Sequence, residues 1–274
     1  MLHYADMPQR GVLAVSGPDA LEFLDNLVTN KVSAQRVTFA ALLSPQGRWL
    51  HDFFIVPVDG GFLLECERAR LPDLLQRLKR YRLRRAVELL DVSDNWQVLA
   101  LWPSTDLKLP ALVYEDPRAA ALGQRALVKT EERPALHTIL STSATAADYT
   151  PHRLLCGVAD GSADMAPEHA LPLEYNFDLT NGVSFTKGCY IGQELTARMH
   201  HRDLLKKRLV RVESTAPLPP SDTPIMAGEQ EAGILRSHHD HIGLALLRLE
   251  HKDQALTINA QPLTVYWPED CNHD

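Results

Sequence analysis

The chain has 274 residues, 45% of them apolar and 23% charged, a balance that supports a sizeable core and excludes wholesale disorder. With 28 Lys and Arg against 35 Asp and Glu, the formal charge is −7, so the protein as a whole is no generic binder of polyanions. No apolar run approaches the ~20 residues of a membrane-spanning helix. The opening Met1-Leu2-His3-Tyr4-Ala5-Asp6 reads neither as a secretory signal nor as an Arg- and Ser-rich presequence. Cys66, Cys156, Cys189 and Cys271 are far apart and suit neither a disulfide framework nor a self-contained metal site. The expected compartment is therefore the reducing cytoplasm.

The chain opens as strand, helix, strand. Gly11 to Val15 reads as a strand, and Ser16-Gly17-Pro18-Asp19 as the start of a helix. Leu21, Leu24, Leu27 and Val28 recur at helical spacing and are expected to face a core. Phe39 to Leu43 reads as a strand, followed by a turn at Ser44-Pro45-Gln46-Gly47. A hairpin is expected about Asp59-Gly60. The spacing of Leu71, Leu74, Leu75, Leu78 and Tyr81 predicts an amphipathic helix over 70–82. Its basic last turn complements the helix dipole, which explains part of the cluster Arg77, Lys79, Arg80, Arg82, Arg84 and Arg85. Arg84 and Arg85 lie beyond that helix and are left over. A strand over 97–101 follows, then a weakly patterned stretch to about residue 150. From Val210 onward, short strands between turn residues predict a small β-barrel or sandwich, with a boundary near residue 205.

The chemistry concentrates in Lys187-Gly188-Cys189-Tyr190-Ile191-Gly192-Gln193-Glu194, continuing to Arg198. Two glycines permit close approaches that side chains forbid, and Gln193 to Arg198 suits a short helix. Cys189 would then sit in a tight loop before a helix N-terminus, two residues from a lysine, where a thiolate is favoured. A lone cysteine is ordinarily a small core hydrophobe. Here the flanking glycines and lysine favour a reactive thiol. His238 to His241 reads as an exposed turn, and adjacent histidines rarely converge on one metal ion.

These eight residues resemble the signature of the YgfZ family, folate-binding relatives of the glycine-cleavage T-protein that act in iron–sulfur cluster assembly and repair. Similar context lies at Ala170 to Asp178, Gly182 to Thr186, Arg10 to Val12, Ser16 to Ala20, Leu43 to Arg48 and Arg80 to Arg84. Asp203 departs from the glycine usual in the family. The resemblance implies an α+β fold: a ring of two ferredoxin-like domains and a C-terminal β-barrel. The corresponding division would be 1–44 with 103–204, then 45–102, then 205–274. It also implies tetrahydrofolate as ligand and support of four-iron clusters in client enzymes; since one cysteine cannot hold a cluster alone, Cys189 would either share one with a partner's cysteines or act as a thiol in transfer or repair. Iron–sulfur carriers and client enzymes, tRNA-modifying ones among them, are the implied partners; neither a membrane nor direct nucleic-acid binding is expected.

Folate needs apolar walls for its rings and cations for its carboxylate tail. Lys187, Arg198 and Arg84 are the expected cations, although Arg84 could equally form a surface ion pair. Gly188, Tyr190 and Gly192 shape the site, and His200 and His201 would line it. Gln193 and Glu194 either bond the pterin edge or hold the loop, loop support being preferred for Glu194. The competing reading is an aminomethyl- or methyltransferase acting on folate. The T-protein relies on an aspartate in an Asn-rich stretch; Cys66 to Asp73 lacks those asparagines, and Asp73 reads as a first-turn helix residue.

Overall fold

The computed structural model describes residues 2–140, 143–202 and 204–268; Asp203 and Cys271 lie outside them. Three β-structures organise the chain. The first sheet carries, in spatial order, Thr38–Leu43, Trp49–Val58, Gly61–Glu67, Arg10–Ser16 and Glu88–Asp91. The second carries Ser143–Ala144, His3–Asp6, Trp96–Trp102, Gln124–Lys129 and Leu112–Glu115. The third is a closed six-stranded barrel running from Lys207–Ser214 to Gln261–Tyr266. The α+β class and the terminal barrel are those expected.

The division at 44 and 102 is not the one the strands adopt. Arg10–Ser16 pairs with Gly61–Glu67, and Thr38–Leu43 with Trp49–Val58, so residues on both sides of 44 share one sheet. The opening strand His3–Asp6 instead pairs with Trp96–Trp102 in the other sheet. Periodicity reveals a strand but not its partner, and the chain changes sheets within the short turn between Asp6 and Arg10.

The hairpin about Asp59-Gly60 forms with Val58 opposite Gly61. The helix Leu71–Arg82 buries Leu71, Leu74 and Leu78 against the first sheet. The earlier helix is shorter than its leucine spacing predicts, spanning Ala20–Asp25. Its Leu21 is 43% exposed, and Phe23 fills the core position instead. The Asp19 carboxylate accepts the Ala86 N–H at 2.7 Å and makes no cap bond to its own helix. Asp240 and His241 form an exposed hairpin turn.

Where the two sheets meet, Glu65 is fully buried and bridges them. It accepts hydrogen bonds from Arg10 of its own sheet (3.0 Å) and from Arg125 and Tyr114 of the other. Burial pushes its carboxyl upward, but Arg125 and Arg10 outweigh burial and hold it at about 2. Arg118 is clamped by both oxygens of Asp116 and lies 4.9 Å over the Phe54 ring. Asp52, next to this network, is 6% exposed, and its carboxylate has no hydrogen bond among the described residues. Burial pushes its carboxyl up to about 6.

Two outcomes are expected. A folded-state value above the unfolded one means that Asp52 costs stability once pH rises through about 6. Asp52→Asn should raise unfolding free energy at pH 7.5 by up to about 3 kcal/mol and give no gain near pH 4, measured by urea denaturation. The helix Leu71–Arg82 ends on Leu83, whose φ of 48° and ψ of −114° suit glycine and cost other residues about 1–3 kcal/mol. Leu83→Gly should therefore stabilise the fold by about 1 kcal/mol, again read by urea denaturation.

Candidate functional site

The signature loop is anchored on its N-terminal side by residues 25–30. The Thr29 hydroxyl donates to the Gly182 carbonyl at 2.6 Å and accepts the Ala41 N–H at 2.8 Å. Asn30 Nδ2 donates to the carbonyls of Asn181 (2.6 Å) and Phe39 (3.0 Å), and Ser184 N–H to that of Thr29. Lys187 completes the seam. Its ammonium donates to the carbonyls of Asp25, Val28 and Asn30 at 2.6, 2.7 and 2.9 Å. Asp25 and Val28 belong to the end of the short helix and the turn after it, so Lys187 satisfies carbonyls that helix geometry leaves open. The ion pair with Asp25, at 3.6 Å, opposes a burial that pushes the ammonium pKa down.

This corrects the expectation for Lys187. Its side chain is 1% exposed and turned into the protein, available neither to a ligand tail nor to the thiol. Tyr190 is likewise structural: its half-buried ring lies 5.3 Å from the Lys187 ammonium, and burial pushes the phenol up to about 12. Gln193 holds the loop by accepting the Tyr190 N–H at 3.1 Å. Glu194, expected to hold it, is exposed and has no partner among the described residues.

The two glycines differ. Gly192 has φ +79°, and a Cβ there would lie 2.3 Å from the Ser44 carbonyl. A Cβ on Gly47 would in turn lie 2.9 Å from the Gly192 carbonyl. The Ser44–Gly47 turn and the signature thus pack backbone to backbone, which joins two motifs that lie far apart in sequence. Gly188 needs no such freedom, since a Cβ there would meet nothing within 4 Å.

Cys189 stands exposed on this loop, while Cys66 is buried and Cys156 half-buried. Burial pushes the Cys66 thiol up to about 12. The helix Gln193–His201 follows, with Arg198 exposed and without an ion pair among the described residues. His200 lies flat on Phe185, ring centres 3.7 Å apart, and His201 meets its edge. Arg84 makes no hydrogen bond or ion pair with this loop among the described residues, and a surface ion pair is formed instead by Arg85, with Glu22 at 3.0 Å. Asp73 is held by His51 and Arg77, each at 2.8 Å.

Two clefts share Asn181, whose Nδ2 donates to the Pro117 carbonyl at 2.9 Å; the first reaches Thr186, next to the loop, and the second lies away from residues 187–194. The first, about 600 Å³, is lined by Lys31, Arg36, Phe39, Phe185 and Thr186. The second, about 540 Å³, is lined by Arg118, Leu155, Cys156, Asn176, Arg211 and Tyr266. Asn176 is 3% exposed; its Nδ2 donates to the Leu209 carbonyl at 2.9 Å, while Oδ1 has no partner. A buried acceptor left open beside a cleft calls for a hydrogen-bond donor. Arg211 lies 3.7 Å over the Tyr266 ring, with one nitrogen on the Leu155 carbonyl. Sequence reasoning did not single out these cleft-lining residues; Asn176 stood in a resembling stretch, but neither spacing nor periodicity ties it to Arg211. No group of three or more His, Cys, Asp and Glu among the described residues is placed to hold a metal ion.

The two sheets and the closed barrel together make the T-protein fold. It resembles that of the glycine cleavage system aminomethyltransferase T from Bartonella henselae, with a TM-score of 0.77 at 14% identity, over 97% of this chain and 85% of that one. The GCVT N-terminal domain matches residues 3–130, and the CAF17 C-terminal beta-barrel domain residues 206–272. Human mitochondrial iron–sulfur cluster assembly factor IBA57 is 38% identical over 283 residues, covering 92% of this chain and 79% of that protein. The mouse protein is 38% identical, covering 88% and 76%. The Mycosarcoma maydis homolog is 37% identical, and the match spans 75% of this chain but 56% of that protein's length. The chain belongs to the IBA57 family of iron–sulfur cluster assembly factors. All three relatives are mitochondrial by name, which overturns the cytoplasmic expectation.

The glycines supply a paired test. Gly192→Ala should destabilise the protein by at least about 2 kcal/mol in urea denaturation, whereas Gly188→Ala should change it by less than about 0.5 kcal/mol.

Proposed function

We propose that the chain is a folate-binding factor for assembly or repair of iron–sulfur clusters, working as YgfZ-family members do, with Cys189 as the cluster-handling thiol. The observation that carries this reading is an exposed sulfur on a loop fixed at Lys187, Gly192 and Gln193. Four-iron clusters are held by four cysteines as a rule. Among the described cysteines, Cys66 is buried in the core and Cys156 lines the second cleft. Cys189 therefore offers one ligand, and a carrier or client protein supplies the others; the cluster is cargo. The alternative use of the same sulfur is thiol chemistry during transfer or repair.

Reduced folate suits the second cleft better than the residues first expected to bind it. Asn176 Oδ1 would accept a pterin N–H, Leu155 and Tyr266 would wall the rings, and Arg211 would face a carboxylate. Bound there, tetrahydrofolate would supply a reduced pterin. The transferase reading gains nothing from Asp73, which His51 and Arg77 already occupy.

Cys189→Ser should keep the urea midpoint and folate affinity, yet fail to restore iron–sulfur enzyme activities in a strain lacking the protein. Full restoration would remove the thiol from the mechanism. Calorimetric titration with 5-formyl-tetrahydrofolate should show binding that Arg211→Ala weakens about tenfold or more. Absence of binding to the unaltered protein would remove folate.

A further inference from the structure

The basic last turn of the helix Leu71–Arg82, continued by Arg84 beyond it, complements the helix dipole but takes no part in the site described above. Lys79, Arg80, Arg82 and Arg84 are exposed and make no ion pair among the described residues. Their neighbours are committed: Arg77 to Asp73 and Glu168, and Arg85 to Glu22. The nearby Asp19 carboxylate is taken up by the Ala86 N–H. Four free cations thus stand at one end of a chain whose net charge is −7.

Leu83 sits between two of these arginines and is 84% exposed. Its backbone, at φ 48°, is one that glycine would adopt without strain, and helices commonly end on glycine for that reason. An apolar side chain held out into water in a strained conformation gains nothing from the fold, so its reward lies outside it. Leu21, also exposed, is on the helix that Arg85 grips.

We propose that this turn is a reversible attachment point for an anionic lipid surface, with Leu83 entering the acyl boundary and the four cations facing the headgroups. A basic collar around an inserting apolar residue supplies the two signals that peripheral attachment requires. A protein partner is the poorer fit. A standard interface covers about 800 Å² per side around an apolar middle. Here the apolar content is two leucines among charges, and a lipid surface asks only for a protruding tip. The chain's net charge of −7 favours contact through its basic segments, and here the cations surround a protruding apolar residue.

The test is co-sedimentation of the full chain with phosphatidylserine–phosphatidylcholine vesicles and with phosphatidylcholine alone. Binding is expected on the first, falling as salt rises, and absent on the second. Leu83→Gly, which relieves strain and so preserves the fold, should weaken it about tenfold or more. Arg82→Ser with Arg84→Ser should weaken it about thirtyfold and flatten the salt dependence. The proposal is overturned if the unaltered chain ignores anionic vesicles, or if Leu83→Gly binds them equally well. Retention of a tRNA probe without vesicle binding would assign the arginines to nucleic acid and likewise overturn it.

Discussion

Glu65 is the constraint on which the arrangement turns. A carboxylate with no access to water is tolerable only when fully paired, and its partners Arg10 and Arg125 come from different sheets. Removing either arginine would strand a buried charge, so the two sheets keep one relation to each other. Phe54 sits beneath the same guanidinium groups, adding aromatic faces to the ionic staple. The loops that build the clefts inherit their positions from this junction, for Arg118 and Pro117 follow directly from the strand that carries Tyr114.

Lys187 plays a comparable part at smaller scale. It spends a full charge on three carbonyls, an expensive use of an ammonium unless the loop must be held still. The same residue in a motif can thus be essential without touching a ligand. Rigidity under the loop and exposure at Cys189 go together: a stiff base presents the one exposed cysteine among the described residues.

Much of the architecture was legible in advance, because alternation and helical spacing are local properties. The hairpin at Asp59-Gly60, the helix ending at Arg82 and the terminal barrel all follow from such patterns. The pairing of His3–Asp6 with Trp96–Trp102 does not, since it joins segments about ninety residues apart and leaves no periodic trace. The motif around Cys189 stood out for its composition, yet composition could not say which way Lys187 points. It suggested a charge beside the thiol, where the fold needed a cap for the turn beyond Asp25. Asn176 drew no attention because its open oxygen is a property of the folded chain and leaves no pattern in sequence.

The barrel is tied to the segment that precedes the signature. Arg208 grips Asp178 with two nitrogens and the Leu173 carbonyl with one of them, while Asn176 reaches across to Leu209. A boundary visible in sequence near residue 205 is therefore not a mechanical joint. Trimming the chain there for crystallisation, or grafting the first two sheets onto another protein, would leave Asp178 and the Leu173 carbonyl without Arg208, and Asn176 without Leu209. The third module is scaffolding for the second, and the three are best treated as a single indivisible part.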